Sequence, residues 1–186
     1  MNKIQKVIAM LLIIAAVVFV AGCAGQSSQS KTTSTTEKAA LTLTDATAQD
    51  KEWIKNTKNN IALVQQTDTL YKNELERKER NSAAYLSKYQ KAKDVENIAM
   101  QAAGISQQAT VSLDLQPVKD NYENYLTHLR LYAAWKAKYW DSMYSEGINT
   151  QAMDYGQSGQ IEEEDANKYL DKYNSGMSEY LKSHRV

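Results

Sequence analysis

From Ile54 onward, apolar side chains return at Ile61, Val64, Tyr71, Leu75, Tyr85, Tyr89, Ala92, Ala99 and Ala103, mostly in steps of three, four and seven. That period is the seam of an amphipathic helix. No Gly or Pro lies within residues 45–103, so the pattern predicts one continuous helix there. A break near 80–82 is the alternative, because ELERKER (residues 74–80) offers few apolar positions and tolerates water on every side. Its Glu74–Lys78 and Glu76–Arg80 spacings each add about 0.2–0.5 kcal/mol to a helix. Thr44 is the expected N-cap, with Asp45, Asp50 and Glu52 placed where negative charge favours a helix start.

MQAAGI (residues 100–105) and MYSEGI (residues 143–148) share a pattern of Met, three residues, Gly, Ile. A left-handed Gly followed by an apolar residue is a common helix ending, so helices are expected to stop at Ala103 and Glu146. The helix before the second stop starts near Asp114 to Pro117, Pro being tolerated in a first turn. Residues 148–160 read as a Gly- and Gln-containing loop, and a last helix over about 161–183 opens on Glu162, Glu163, Glu164 and Asp165. Those acids suit a helix N-terminus, and they lack the interleaved ligands and turn Gly of a calcium loop. No segment alternates with β-branched enrichment. The predicted fold is mainly α: an elongated up-down bundle of three to four helices (about 45–103, 115–146 and 161–183) with a Tyr-rich core and no β-sheet.

The helix over 115–146 carries two apolar stripes. Tyr125, His128, Tyr132, Trp135 and Tyr139 form one; Tyr122, Leu126, Leu129, Ala133, Trp140 and Met143 form the other, about 100° around. One reading is a central helix packed on two sides. The other leaves the first stripe partly exposed as a binding surface, rimmed by Arg130, Lys136 and Lys138, since Tyr, Trp and Arg dominate binding hot spots.

The pattern ahead of the helices is different in kind. MNKIQK holds Lys3 and Lys6 and no acid, and residues 7–21 are an apolar run. In a helix that run would cover roughly 22 Å at about 1.5 Å per residue, short of the roughly 30 Å hydrocarbon core. A positive start, a short apolar centre and small residues before a cut site describe an export signal. Val20, Ala21, Gly22 and Cys23 close it, and Cys23 is the only cysteine in the chain. This VAGC resembles the lipobox of prokaryotic membrane lipoproteins, a resemblance confined to the leader. It implies cleavage between Gly22 and Cys23 and a diacylglyceryl group on the Cys23 sulfur. Acylation of the new amino group by a fatty acid such as palmitate often follows in that family. Two or more chains anchor firmly where one binds marginally.

Residues 1–22 would then be a signal peptide and residues 23–43 a lipidated Cys with a flexible Ser/Thr/Gln-rich tether, typically spanning about 25 Å. Residues 44–186 would be the helical domain. The full chain has 22 basic and 22 acidic side chains, so losing Lys3 and Lys6 leaves a formal charge of −2. No clustered basic patch points to nucleic acid. Leu, Ile, Val and Phe make up only about 15 per cent of the domain, near the range of disordered chains, but twelve tyrosines stand in for them.

Candidate chemistry is sparse. His128 and His184 lack the Glu three residues earlier that di-iron bundles use, and no Cys/His set for zinc or Cys-x-x-Cys-His for haem is present. The expectation is no catalytic residue, no metal and no cofactor. Three readings stay open: a lipid-anchored, extracytoplasmic module that binds an envelope protein or plays a structural role; a small-ligand or cell-wall glycan receptor using residues 120–144; and an envelope enzyme. The anchoring membrane is the cell membrane, or the outer membrane in a host with two.

Overall fold

A computed structural model describes residues 43–186, which form a four-helix bundle. The helices are α1 (Ala48–Leu75), α2 (Ser82–Gln108), α3 (Gln116–Ser145) and α4 (Thr150–Ser183). They run up and down in turn. Trp53 near the start of α1 donates to Ser106 near the end of α2 at 3.2 Å, and Tyr85 early in α2 stacks on Trp140 late in α3. Val118 early in α3 meets Gly176 late in α4. The bundle class and the Tyr-rich core agree with the periodicity: Tyr71, Tyr122, Tyr125, Tyr132, Tyr173 and Tyr180 are all buried.

Where no β-sheet was expected, the described residues hold one minimal parallel pair, β1 (Thr44–Asp45) against β2 (His184–Arg185). Asp50 secures this end. Its carboxylate accepts the Ser112 N–H at 2.8 Å, the Tyr180 hydroxyl at 3.0 Å and the Thr47 N–H at 3.3 Å. The α1 cap is therefore a capping box on Thr47, three residues beyond the expected Thr44, which is in β1 instead.

The expected single helix over 45–103 is two helices. Asn81 provides the local cause: its side chain accepts the Ala84 N–H at 2.9 Å and opens α2. Lys88 then reaches back to the Arg77 carbonyl at 3.1 Å, holding the turn over residues 76–81. The expected stop at Ala103 is also corrected. Gly104 keeps a helical backbone, and α2 continues to Gln108. The matching stop before Gly147 forms as expected, with Gly147 at φ 76° and α3 ending at Ser145.

The expected loop over 148–160 is helix. Asn149 caps α4 by accepting the Ala152 N–H at 2.7 Å, so α4 starts eleven residues before Ile161. The acidic run at 162–165 is consequently in mid-helix, and its first two acids have partners on other elements. Glu162 meets His128 of α3 at 2.7 Å, and Glu163 meets Lys72 of α1 at 3.1 Å. The inward row of α4 advances by seven: Ala152, Gly159, Ala166, Tyr173, Tyr180. Among the described residues no helix is long and apolar enough to cross a membrane. The signal segment, Gly22, Cys23 and the tether to residue 42 lie outside the described residues.

Candidate functional site

The α3 helix is the central element, packing against both α2 and α4. The first apolar stripe is therefore divided by depth. Tyr125 and Tyr132 are buried in the core, Tyr132 with its ring edge-on to Tyr71 at 6.0 Å, so they offer no surface for docking. His128 and Trp135 are half-buried in the seam with α4. His128 Nδ1 pairs with Glu162 at 2.7 Å while its ring stacks on Tyr169 at 5.3 Å. Trp135 stacks on Tyr155 at 5.8 Å under the Lys138 ammonium, 4.3 Å from the ring centre. Tyr139 alone of the five reaches a cleft.

That cleft opens at the end of the bundle that holds the α1–α2 and α3–α4 turns, opposite the strand pair. It encloses about 440 Å³ and is lined by Tyr71, Leu75, Lys136, Tyr139, Trp140, Met153, Gly156, Gln157 and Gln160. Each wall has a local cause. The Trp140 indole N–H donates to the Tyr71 hydroxyl at 3.0 Å, tying α3 to α1. Tyr139 sets its edge to Trp140 with centroids 4.5 Å apart at 74°, the favoured T-shaped geometry. Behind Trp140, Tyr85 stacks at 6.0 Å and the Lys88 ammonium sits 4.9 Å over the ring. The Tyr139 ring lies along the α4 backbone at Gly156, where an added Cβ would meet it at 3.6 Å, an ordinary packing distance.

Lys136 supplies the one cationic group among the cleft-lining residues. Its ammonium donates to the Gly156 carbonyl at 3.3 Å, and an added Cβ at Gly159 would be 3.0 Å from its side chain. Burial pulls its pKa below the usual lysine value, opposed by the Glu163 carboxylate. Beneath the cleft Asp68 is half-buried against Lys72 at 2.8 Å. Burial raises the Asp68 carboxyl above its ordinary value, against the pull of Lys72, and Oδ1 has no hydrogen-bond partner among the described residues. Among the described residues no three His, Cys, Asp or Glu side chains converge as metal ligands would.

The arrangement can hold a flat or apolar group between Tyr139, Trp140 and Met153 and donate from two amides and an ammonium. Sequence reasoning missed Tyr71, Met153, Gln157 and Gln160 as partners of Tyr139, and placed Trp140 on the other stripe. The available signal was the seven-residue row through Gly159, which puts residues 150–160 on a helix facing α3. No protein-family model, curated protein or solved structure matches the chain.

Proposed function

We propose that this is a lipid-anchored helical module of the cell envelope that works outside the cytoplasm and engages another envelope protein through the aromatic cleft. The leader ending VAGC and its single Cys23 support the anchor. The observation that carries the binding role is the cleft's composition and place. Tyr, Trp and Met side chains line an open cavity, and Met153 within it is 58% exposed. The chain upstream joins the bundle at Thr44, the end remote from that cavity.

A photo-crosslinking residue at Met153 in intact cells should give a discrete adduct that the same residue at exposed Lys58 does not. Identical adduct patterns at both positions would refute a binding role for the cleft. For the anchor, Cys23→Ala should move the protein to the soluble fraction or leave its leader uncleaved. A cleaved variant that stays wholly on the membrane would refute lipidation.

A second reading, glycan binding, is favoured by one detail: the Gln157 and Gln160 amides stand beside the Tyr139 and Trp140 faces. Stacking faces flanked by amide donors suit a sugar ring. Titrating cell-wall glycan fragments while following tryptophan emission separates this reading from a protein partner.

A further inference from the structure

At the opposite end of the bundle from the cleft, Leu113 is 90% exposed, the highest value among the large hydrophobic side chains of the described residues. It belongs to the connection over residues 109–115, between α2 and α3, and the backbone there is fastened. The Ser112 N–H donates to Asp50 at 2.8 Å, the Leu115 N–H donates to the Ser112 carbonyl at 3.1 Å, and Leu115 itself is fully buried. A leucine held outward between two such anchor points cannot fold back to cover itself. Next to it, Asp114 lies 3.7 Å from His184 of β2, which brings the loop against the strand pair. Leu43, 39% exposed, leads into β1, and Val186, 52% exposed, follows β2.

We propose that this end of the bundle rests on the lipid bilayer, with Leu113 inserted at the boundary between headgroups and acyl chains. The inference rests on the anchor reading above and extends it. A chain acylated at Cys23 re-enters the bundle at Leu43 after 20 residues, a length whose coil span is about 25 Å. The tether therefore keeps Leu43 and its neighbours at high effective concentration next to lipid. Exposed aliphatics at that end of the bundle are where a lipid surface is available to cover them. Charge does not set the contact. Acidic Asp45 and Asp114 stand among basic Lys51, Lys182 and Arg185, so the surface has no strong preference for anionic lipid. Docked this way, α3 carries the cleft, lined by its Lys136, Tyr139 and Trp140, about 30–36 Å along the helix from the bilayer end.

The test uses the full lipidated chain in phosphatidylcholine vesicles, with and without phosphatidylglycerol. Because Cys23 is the only native cysteine and is acylated, Leu113→Cys or Gln157→Cys offers one free thiol for an environment-sensitive dye. The dye at 113 should shift to the blue on reconstitution, be quenched by bromolipids, and respond equally in both lipid mixtures. The dye at 157, in the cleft, should do neither. A water-like signal at 113 on vesicles that carry the protein through flotation would overturn docking and leave the anchor standing. Failure to float would overturn the anchor and docking together. A shift at 113 that requires added membrane proteins would assign the surface to a protein partner and overturn the lipid contact. As a second variant, Leu113→Asp with the dye at exposed Thr110 should lose the shift while helical circular dichroism is unchanged. Retention of the shift would show that Leu113 makes no contact with lipid.

Discussion

Asp50→Ala tests how the two termini of the bundle are held together. Asp50 is 1% exposed and serves three segments at once. It closes the α1 capping box with Thr47, accepts the Ser112 N–H at 2.8 Å from the α2–α3 connection, and accepts the Tyr180 hydroxyl at 3.0 Å from α4. The Thr47 hydroxyl still accepts the backbone N–H of residue 50, so only the reciprocal half of the capping box, the Thr47 N–H to Asp50, is lost, at about 0.5–1 kcal/mol. The Ser112 N–H and Tyr180 hydroxyl are then left without their acceptor, at about 1–3 kcal/mol each. Allowing for shared relaxation among neighbours, the total is about 3–4 kcal/mol. For a chain of this size that corresponds to a fall in Tm of roughly 10 °C. Thermal melts followed by circular dichroism, with urea unfolding for the free energy, measure it. Tyr180→Phe removes one donor and should cost less, and the double variant should cost clearly less than the two singles summed. A loss below about 1 kcal/mol in Asp50→Ala would refute the reasoning, because an orphaned buried donor alone exceeds that.

The same site gives a sign for pH dependence. Burial raises the Asp50 carboxyl, but the bonds from Ser112, Thr47 and Tyr180 outweigh it and hold the group below its ordinary value. As acid is added, the unfolded chain takes up this proton first. The stability from Asp50 is thus present above the ordinary Asp value of about 3.9 and is lost as pH falls through the lower folded value. Asp50→Asn should flatten that acid limb.

The remaining predictions concern residues whose environments oppose each other. Gly104→Ala should stabilise by about 0.5–1 kcal/mol, since the site is helical with open space around it, whereas Gly147→Ala, at φ 76°, should destabilise by about 1 kcal/mol. Urea unfolding of both decides it, and effects of equal sign would sink the argument. Asp68→Asn should leave Tm at pH 7 unchanged or raised. Burial lifts the Asp68 carboxyl, so its contribution is present below the ordinary Asp range and lost as pH rises through the raised folded value. Lys72 still has the Glu163 carboxylate as a partner, 3.1 Å away in the native protein. A clear fall in Tm would mean that the Lys72 pair outweighs burial.

What could be read from the pattern was whatever the local chain decides. The α3 span was legible at both ends because Pro117 and Gly147 act within one turn of themselves. The two stretches share the MxxxGI pattern, yet only the second terminates a helix. After Gly104 the chain still has helix to complete before the Asp50–Ser112 clasp, a contact 62 residues apart in sequence. Gly156 and Gly159 were read as loop residues for the same reason. Both are in α4 against α3, and Gly159 lets the Lys136 side chain lie close to the helix, which only the packed pair of helices reveals. The acids at 162–165 suggested a helix start because the partners of Glu162 and Glu163, His128 and Lys72, are on distant segments. Of the candidate surface, periodicity put Tyr139 on the correct helix but could not say which of five stripe residues escape burial.

The break after α1 also explains why there is a cleft at all. The Lys72–Glu163 contact sets the level of α1 against α4. Beyond it α1 has three further residues, to Leu75, while α4 extends 13 residues back to Thr150. The difference of about ten residues leaves roughly 15 Å of α4 with no α1 beside it. Small side chains, Ala152 and Gly159, line the inward row of α4 there, so it cannot fill the space itself. The opposite face of α3 is closed by Tyr85 and Lys88 over Trp140. The opening therefore falls on the α1 side and exposes Tyr139, Trp140 and Met153. A single helix carried past Leu75 would have covered these residues. The polar ELERKER stretch and the Asn81 cap, which give the seam no apolar reason to continue, are what keep the cleft open.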